Sequence, residues 1–204
     1  MTRFVTLLTL LVAAPLSRSI GYADRSSARS LLDSKLNNPE LQRAWAKFSR
    51  AVQTNDLPAL HQLSAGCIAC IDCVTNTPAE ATAFETYQKK HPNTWYDTLY
   101  GSLGFIPTQA FWQRDGRLIF DAKTKSRLLN SAKLRFAAND HNKAGYVAPC
   151  LILPAQAAST HVYEVLLTYI DPYPGGRGEE GMQKAFAFVK TKQGYKFCGY
   201  STIP

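Results

Sequence analysis

The spacing of apolar residues changes along this chain, from a helical period in the first half to a strand period in the second. Between residues 39 and 54 the large apolar residues recur every three or four positions, which predicts one amphipathic helix. They are Leu41, Trp45, Phe48 and Val52. Asn38 and Pro39 begin this stretch, and they suit the N-cap and the first helical position. A second, short helix is predicted after Asp56.

From residue 133 onward apolar and polar residues alternate, which is typical of strands with one buried face. The predicted strands are 133–138, 145–153, 160–170, 183–191 and 195–200. Gln193-Gly194 predicts a tight hairpin between the last two. Helices followed by an antiparallel meander give the α+β class, so we expect a single domain over 38–204. Its curved antiparallel sheet would have about five strands, covered by the N-terminal helices.

Three cysteines stand close together in a β-prone run over 67–74, namely Cys67, Cys70 and Cys73. We interpret them as structural disulfides or buried thiols, which are common in exported chains. A metal site and a redox pair are the alternatives. A structural zinc site needs four ligands, and a redox Cys-x-x-Cys normally begins a helix. The only further cysteines, Cys150 and Cys198, lie on predicted strands, so no metal site is predicted. Because the run follows a helix and leads into a strand, its context does not suit a redox pair either.

Two disulfide pairings are candidates among the five cysteines of the chain. Cys150 and Cys198 both lie on predicted strands, where they would face each other across the sheet. Cys70 and Cys73 would close a small loop if the strand is broken between them. Because five is an odd number, at least one thiol stays outside intramolecular bridges.

Residues 1–23 have the features of a secretory signal peptide. Arg3 precedes an apolar run over 4–14, and Ala23 ends a small-residue cleavage site. The apolar run is too short to span a bilayer, and we expect no membrane insertion. The mature chain would begin with a polar leader segment over 24–37 and would be secreted or periplasmic.

The chain is basic, with a formal net charge of +8, but its cations are scattered along the sequence. Nucleic-acid-binding proteins usually carry a tighter basic stripe with interleaved aromatic residues, so nucleic acid is not a predicted partner. The sequence contains no Gly-x-Ser-x-Gly motif, no P-loop and no dinucleotide fingerprint. We therefore predict no cofactor.

Two stretches resemble the NTF2-like superfamily. One is the aromatic-x-x-alanine opening over 45–52, followed by a polar turn and a second helix over 55–60. The other is the closing hairpin, from 185–190 to 194–197. The resemblance implies a cone-shaped α+β domain, but no particular function, because such folds host enzymes, ligand binders and interaction modules. The ending, 198–204, is similar to that of uncharacterised exported bacterial proteins, which implies only a compartment.

The stretch 93–116 is rich in aromatic residues, which we predict to line a ligand pocket. They are Trp95, Tyr96, Tyr100, Phe111 and Trp112. Glu164 joins this prediction because it interrupts an apolar strand and shares a face with Val162 and Leu166. A carboxylate buried there would have a raised pKa and would act as a base. The alternatives are that these aromatic residues belong to the core and that Glu164 faces solvent.

The lack of a nucleophile, base and metal constellation favours a non-enzymatic exported binding module. Its partner would be a small apolar or aromatic ligand or a protein, with a homodimer among the assemblies considered. The alternative is a small-molecule enzyme in which Glu164 or Asp171 works with Tyr96 or Tyr169 as acid and base. One observation distinguishes the binding module from the enzyme: in the enzyme, a carboxylate and a His or Tyr would lie within hydrogen-bond reach inside a closed pocket.

Overall fold

In the computed structural model of this chain, residues 38–139, 162–171 and 181–203 are described. The predicted signal peptide, the leader segment over 24–37, the strand over 145–153 and Cys150 lie outside them. Among the described residues, no helix is long and apolar enough to cross a membrane.

The helices of the described residues lie in the first two thirds of the chain. They are α1 (Pro39–Thr54), α2 (Leu57–Leu63), α3 (Pro78–Lys90), α4 (Trp95–Thr98), α5 (Thr108–Gln113), α6 (Asp115–Ile119) and α7 (Ala122–Arg127). Two short 3-10 helices occupy Asp72–Thr75 and Ser131–Lys133, and a π-helix occupies Leu99–Leu103.

Side chains fix the ends of the first two helices. The Asn38 side chain accepts a hydrogen bond from the Leu41 N–H at 3.0 Å, which satisfies one of the N–H groups that a helix leaves unpaired at its start. Asn55 ends α1 with a φ of 52°, in the left-handed region that asparagine tolerates. The Asp56 carboxylate then caps α2 by accepting from the Ala59 N–H at 3.0 Å. The predicted start of α1 is confirmed.

The strands form one sheet in the order β2-β1-β6-β5-β4-β3. They are β1 (Ser64–Ala69), β2 (Phe105–Pro107), β3 (Leu134–Asn139), β4 (Val162–Thr168), β5 (Gln183–Thr191) and β6 (Gly194–Ile203). The β1–β6 pair is parallel, and the other neighbouring strands pair antiparallel. Within the described residues this sheet is open, with β2 and β3 at its edges.

The α+β class is confirmed, whereas the expected sheet of about five antiparallel strands is corrected to a mixed sheet of six. The difference arises at one edge, where β1 and β2 come from the helical half of the chain. β1 pairs with β6 across a long stretch of intervening sequence, as parallel neighbours require. β2 is only three residues long, in a stretch where no strand was predicted.

Helix α1 packs on one face of the sheet through aromatic rings. Phe48 lies 4.9 Å from Phe197 and 5.4 Å from Phe188 between ring centroids. Trp45 lies 5.4 Å from Phe186, and its indole N–H donates to the Leu128 carbonyl at 3.1 Å. We call the buried rings of this cluster the aromatic core. They are Trp45, Phe48, Phe111, Trp112, Phe120, Phe186, Phe188, Tyr195, Phe197 and Tyr200.

The opposite face of the sheet carries a smaller buried cluster. Its members are Ala65, Val162, Ala187, Val189 and Cys198. Glu164 belongs to this face because it lies two residues after Val162 on β4, and side chains two apart on a strand point the same way. Burial raises the pKa of the Cys198 thiol, and the charge of Glu164 raises it further, although β5 lies between their two strands. Glu164 is thus on the face away from the aromatic core.

The cysteine stretch differs from the predicted strand over 67–74. Strand β1 ends at Ala69, and the chain turns into a 3-10 helix while Cys70 and Cys73 form a disulfide with a Cα–Cα distance of 5.3 Å. Cys67 is also disulfide-bonded. Cys198 is a free, buried thiol, whereas we predicted that it pairs with Cys150, which lies outside the described residues. Its position among the small side chains of the second cluster explains why it is inaccessible.

Candidate functional site

In the part of the chain that the structure describes, the most exposed group of large apolar side chains within one short stretch lies on α4 and the π-helix. Tyr96, Tyr100 and Leu103 expose 57%, 49% and 39% of their surface, and Trp95 beside them is half-buried. We call these four residues the aromatic surface. Scattered exposed apolar residues are normal on proteins, but adjacent ones mark contact sites.

The rings of the aromatic surface form a continuous row. Tyr96 and Tyr100 have ring centroids 4.7 Å apart with planes inclined by 40°. Trp95 meets Tyr96 edge to face at 5.5 Å and meets Phe84 of α3 in the same way at 6.0 Å. These are the offset and T-shaped arrangements that aromatic pairs prefer. The row is therefore ordered by its own contacts.

The π-helix that carries Tyr100 and Leu103 is anchored at its end, Gly104. The Gly104 N–H donates to the Leu99 carbonyl at 2.9 Å, a bond that spans five residues and defines the wider π turn. A side chain at residue 104 would require the end of the Ile71 side chain to move, and its Cβ would stand 3.0 Å from the Leu99 carbonyl oxygen. The Gly104 carbonyl then accepts from the Cys70 N–H at 2.7 Å. The segment is thereby fixed to the turn that the Cys70–Cys73 disulfide closes.

Helix α3 supports the row without contributing to the core. A capping box begins it, in which the Thr77 hydroxyl accepts from the Glu80 N–H at 3.3 Å and the Glu80 carboxylate accepts from the Thr77 N–H at 3.0 Å. None of the 13 residues of α3 is buried. Its attachment is ionic instead, since Glu80 pairs with Arg114 at 2.8 Å and Arg114 pairs with the buried Asp115 at 2.9 Å.

The two tyrosines of the aromatic surface influence each other. A hydrogen bond with Tyr96 raises the pKa of Tyr100, and partial burial and the charge of Asp72 add to the effect. Asp72 itself accepts from the Thr202 N–H at 3.0 Å and from its hydroxyl at 2.9 Å. Tyr100 is therefore neutral at physiological pH and presents a ring together with a polar hydroxyl.

The structure divides the predicted pocket residues into three groups. Trp95, Tyr96 and Tyr100 come together on the surface. Phe111 and Trp112 are buried in the aromatic core, where the Trp112 indole N–H donates to the Ser64 hydroxyl at 3.0 Å. Glu164 lies on the opposite sheet face. These six side chains do not form one pocket.

The partners found for Asp171 and Tyr169 differ from those predicted for the enzyme alternative. Asp171 forms an ion pair with Lys133, and the hydrogen bond from Lys133 lowers the pKa of Asp171, which makes it a weaker base. The Tyr169 hydroxyl donates instead to Asp121 at 3.0 Å. That hydrogen bond raises the pKa of Tyr169. Within the described ranges, no hydrogen bond joins Glu164 or Asp171 to Tyr96 or Tyr169.

A buried lysine beside Asp121 and Tyr169 was not among the site residues predicted from the sequence. Lys184 is only 6% exposed, and its ammonium donates to the Ile119 carbonyl and to the Thr124 hydroxyl, both at 2.7 Å. It stands 3.8 Å from Asp121 and 4.3 Å from the Tyr169 ring centroid. The sequence held a signal, because Lys184 falls at the inward-facing positions of β5 together with Phe186 and Phe188.

Burial lowers the pKa of Lys184, while the charge of Asp121 opposes that shift. Burial also disfavours the charged form of Asp121, but hydrogen bonds from Thr124 and Tyr169 outweigh it and lower the pKa of this carboxyl. Both groups are thus held in place by acceptors and donors of the protein itself. We interpret this cluster as the connection between β5 and the α6–α7 turn rather than as reacting groups.

Cavities and metal ligands do not coincide with the aromatic surface. Among the described residues, no group of three or more His, Cys, Asp or Glu side chains is arranged to hold a metal ion. One cavity of about 360 Å³ lies beside Val52, Leu60, Trp112 and Phe120. A wider groove of about 890 Å³ lies between α1 and α2. Neither is lined by Trp95, Tyr96, Tyr100 or Leu103.

Comparison of the chain with protein-family models, with characterised proteins and with solved structures finds no match, so the resemblance to the NTF2-like superfamily stays a prediction.

Proposed function

We propose that this protein is a non-enzymatic binding module that docks a protein partner on the aromatic surface. The observation that carries the proposal is the row of rings on α4 and the π-helix, with Tyr96 and Tyr100 about half exposed and in contact with each other. Tyrosine and tryptophan dominate the binding energy of protein interfaces, because they bury a large area at a small entropic cost. Tyrosine hydroxyls also offer hydrogen bonds at the edge of such a contact.

A protein partner suits this surface better than a small ligand. Small-molecule sites are concave and enclose most of the ligand, whereas these residues line neither of the two cavities described above. Helix α3 buries no residue, so its half-buried Phe84 and Tyr87 offer further apolar area next to the row. A partner that covers α3 and α4 together would bury this area, and burial of apolar area is what drives such association.

We place the module outside the cytoplasm, on the basis of the predicted signal peptide over 1–23. The Cys70–Cys73 disulfide supports this location, because disulfides persist in oxidising compartments. The bridge also serves the binding surface, since the turn that it closes bonds to Gly104 at the end of the π-helix.

The proposal is tested by replacing rings at the surface and comparing them with exposed leucines elsewhere. Tyr96 would carry a photo-crosslinking phenylalanine analogue in the full chain expressed in its host, and crosslinked proteins would be identified by mass spectrometry. The affinity of each purified candidate would then be measured for the wild type, for Tyr96→Ala/Tyr100→Ala, and for the control Leu118→Ala/Leu129→Ala. Leu118 and Leu129 are exposed to the same extent as the two tyrosines.

We expect at least one partner whose affinity falls about tenfold or more in the tyrosine variant and changes by less than about twofold in the leucine variant. Equal losses in both variants, or crosslinks that lead to no partner with this dependence, would overturn the proposal. A crosslink to a second copy of the chain, abolished by the tyrosine variant in sedimentation, would replace it with a homodimer.

A further inference from the structure

The solvent side of α1 carries three cations at successive turns of the helix. Arg43, Lys47 and Arg50 are all exposed, and their spacing of four and three residues places them on one face. We call these three residues the basic stripe. Like charges at this spacing destabilise a helix, so the stripe does not serve the stability of α1.

No carboxylate forms an ion pair with the basic stripe within the described residues. The ion pairs found there involve none of its three side chains. The one acidic residue of α1, Glu40, pairs with Lys190 of β5 at 2.8 Å. The stripe is therefore positive charge that no ion pair compensates on the part of the chain that the structure describes.

Two residues of the stripe form a wall of the 890 Å³ groove between α1 and α2. Small side chains, Ala46, Ala51 and Ala59, line the groove beside Lys47 and Arg50. A surface of small side chains allows a bound main chain to approach closely. The groove therefore combines positive charge on one wall with room for a peptide backbone.

The groove contains one carboxylate and further cations. Asp56 lines it and caps α2 by accepting from the Ala59 N–H at 3.0 Å, so its single negative charge offsets part of the positive charge of Lys47 and Arg50. Gln62 lines it as well, and the Gln62 carbonyl accepts from the Lys196 ammonium at 2.5 Å. A third cation thus stands near the groove from β6.

We propose that this groove binds an acidic segment of a partner protein in an extended conformation. Side chains on the same side of an extended chain recur every ~6.6 to 6.8 Å, close to the ~5 to 6 Å between neighbouring positions on one helix face. Acidic residues at alternate positions would therefore meet successive cations of the stripe. Arg50 offers its carboxylate partner two parallel hydrogen bonds, which makes this contact stronger than a point charge.

Other anionic partners fit the groove less well. A single-stranded nucleic acid would need aromatic side chains on which bases stack, and the groove has none among its lining residues. A membrane surface would need exposed apolar or aromatic groups flanking the cations, whereas the apolar residues here are mainly alanines between the helices. The inference does not depend on the aromatic surface, which lies on different residues.

A direct titration tests the groove. A fluorescently labelled peptide of about ten residues with alternating Glu and Ala would be titrated with the purified full-length mature chain at low salt, and its anisotropy measured. The groove variant is Lys47→Gln/Arg50→Gln. The matched control is Lys89→Gln/Lys90→Gln, which removes the same charge from two exposed lysines of α3. A peptide with Gln in place of Glu shows the contribution of the carboxylates.

We expect the groove variant to bind the acidic peptide about tenfold more weakly, the control variant to change affinity by less than about twofold, and added salt to weaken wild-type binding. Equal losses in the two variants would mean that only the net charge matters and would overturn the inference. So would undetectable binding to the wild type, or tighter binding to an oligonucleotide or to anionic phospholipid vesicles than to the peptide. Thermal unfolding shows whether the groove variant is folded. Because the change removes like charges from α1, it should not lower the melting temperature of the protein.

Discussion

The molecule contains two aromatic regions that are adjacent in sequence but opposite in environment. Rings of the aromatic core, such as Phe111 and Trp112, are buried beneath α1, whereas Tyr96 and Tyr100 lie in solvent. In the core, the Trp45 and Trp112 indole N–H groups both find acceptors inside the protein. Buried polar groups require such partners. On the surface, the tyrosine hydroxyls remain accessible to water and to a partner.

This contrast separates two roles of the same residue class. Core rings meet several others, as Phe48 does with Trp112, Phe120, Phe188 and Phe197, and they stabilise the fold. Surface rings form a single row, in which Tyr96 and Tyr100 expose about half of their surface. Truncating a core ring should therefore cost stability, and truncating a surface ring should cost binding.

The largest effect is expected from Phe48→Ala. The change removes a fully buried ring between α1 and the sheet, and we expect it to lower the free energy of unfolding by about 3 to 5 kcal/mol. Tyr96→Ala serves as the surface counterpart, with a change within about 0.5 kcal/mol. Urea-induced unfolding followed by tryptophan fluorescence measures both. Similar losses in the two variants would show that the aromatic surface is part of the core after all.

A smaller effect is expected from Thr77→Ala at the start of α3. Since this helix buries no residue, its capping box supplies much of its local stability, and we expect a loss of about 1 kcal/mol. Thr82→Ala is the matched control within the same helix, because the Thr82 hydroxyl only donates back to the Pro78 carbonyl at 2.9 Å and alanine has the higher helix propensity. Hydrogen exchange of the α3 amides reads out the difference. Faster exchange in the control than in Thr77→Ala would contradict the assigned role of the cap.

Local signals predicted the elements that depend on local chemistry. Asn38 and the apolar stripe gave the bounds and the buried face of α1, and Gln193-Gly194 gave the hairpin between β5 and β6, with Gly194 at a φ of 100°. The sequence predicted a turn at Cys70 only on the condition that Cys70 and Cys73 pair. Which cysteines pair depends on the surrounding fold, so local sequence did not decide between a continuous strand and this turn.

The candidate site was predicted only in part. The sequence singled out the aromatic stretch, but it did not separate Phe111 and Trp112 from Trp95, Tyr96 and Tyr100. Which rings are buried depends on how α5 packs under α1, and the period of so short a helix carries no such information. Lys184 was missed for a related reason, since its partners Ile119 and Thr124 come from distant sequence.

Tyrosines from the two regions should also respond differently to alkaline pH. Burial raises the pKa of Tyr200 strongly, with smaller effects from Asp72, Asp121 and Tyr169. Its folded pKa then lies above the unfolded value near 10, so the folded state holds its proton where the unfolded state loses it. Stability from this group is complete below about pH 10 and is lost as the pH rises above that value. At pH 10.5 the loss is about 0.8 kcal/mol.

Replacing the buried hydroxyl tests this sign. Between pH 8 and 10.5, Tyr200→Phe should lose less stability than the wild type, by about 0.8 kcal/mol, in urea unfolding at each pH. Tyr100→Phe is the surface counterpart, and its effect on the slope should be smaller because half of that side chain is exposed. The contribution of the buried Cys198 thiol is the same in all three proteins and cancels. A larger flattening of the pH profile by Tyr100→Phe than by Tyr200→Phe would contradict this prediction. It would mean that Tyr100 is more desolvated than Tyr200, so that Tyr100 would belong to the core and Tyr200 to the surface.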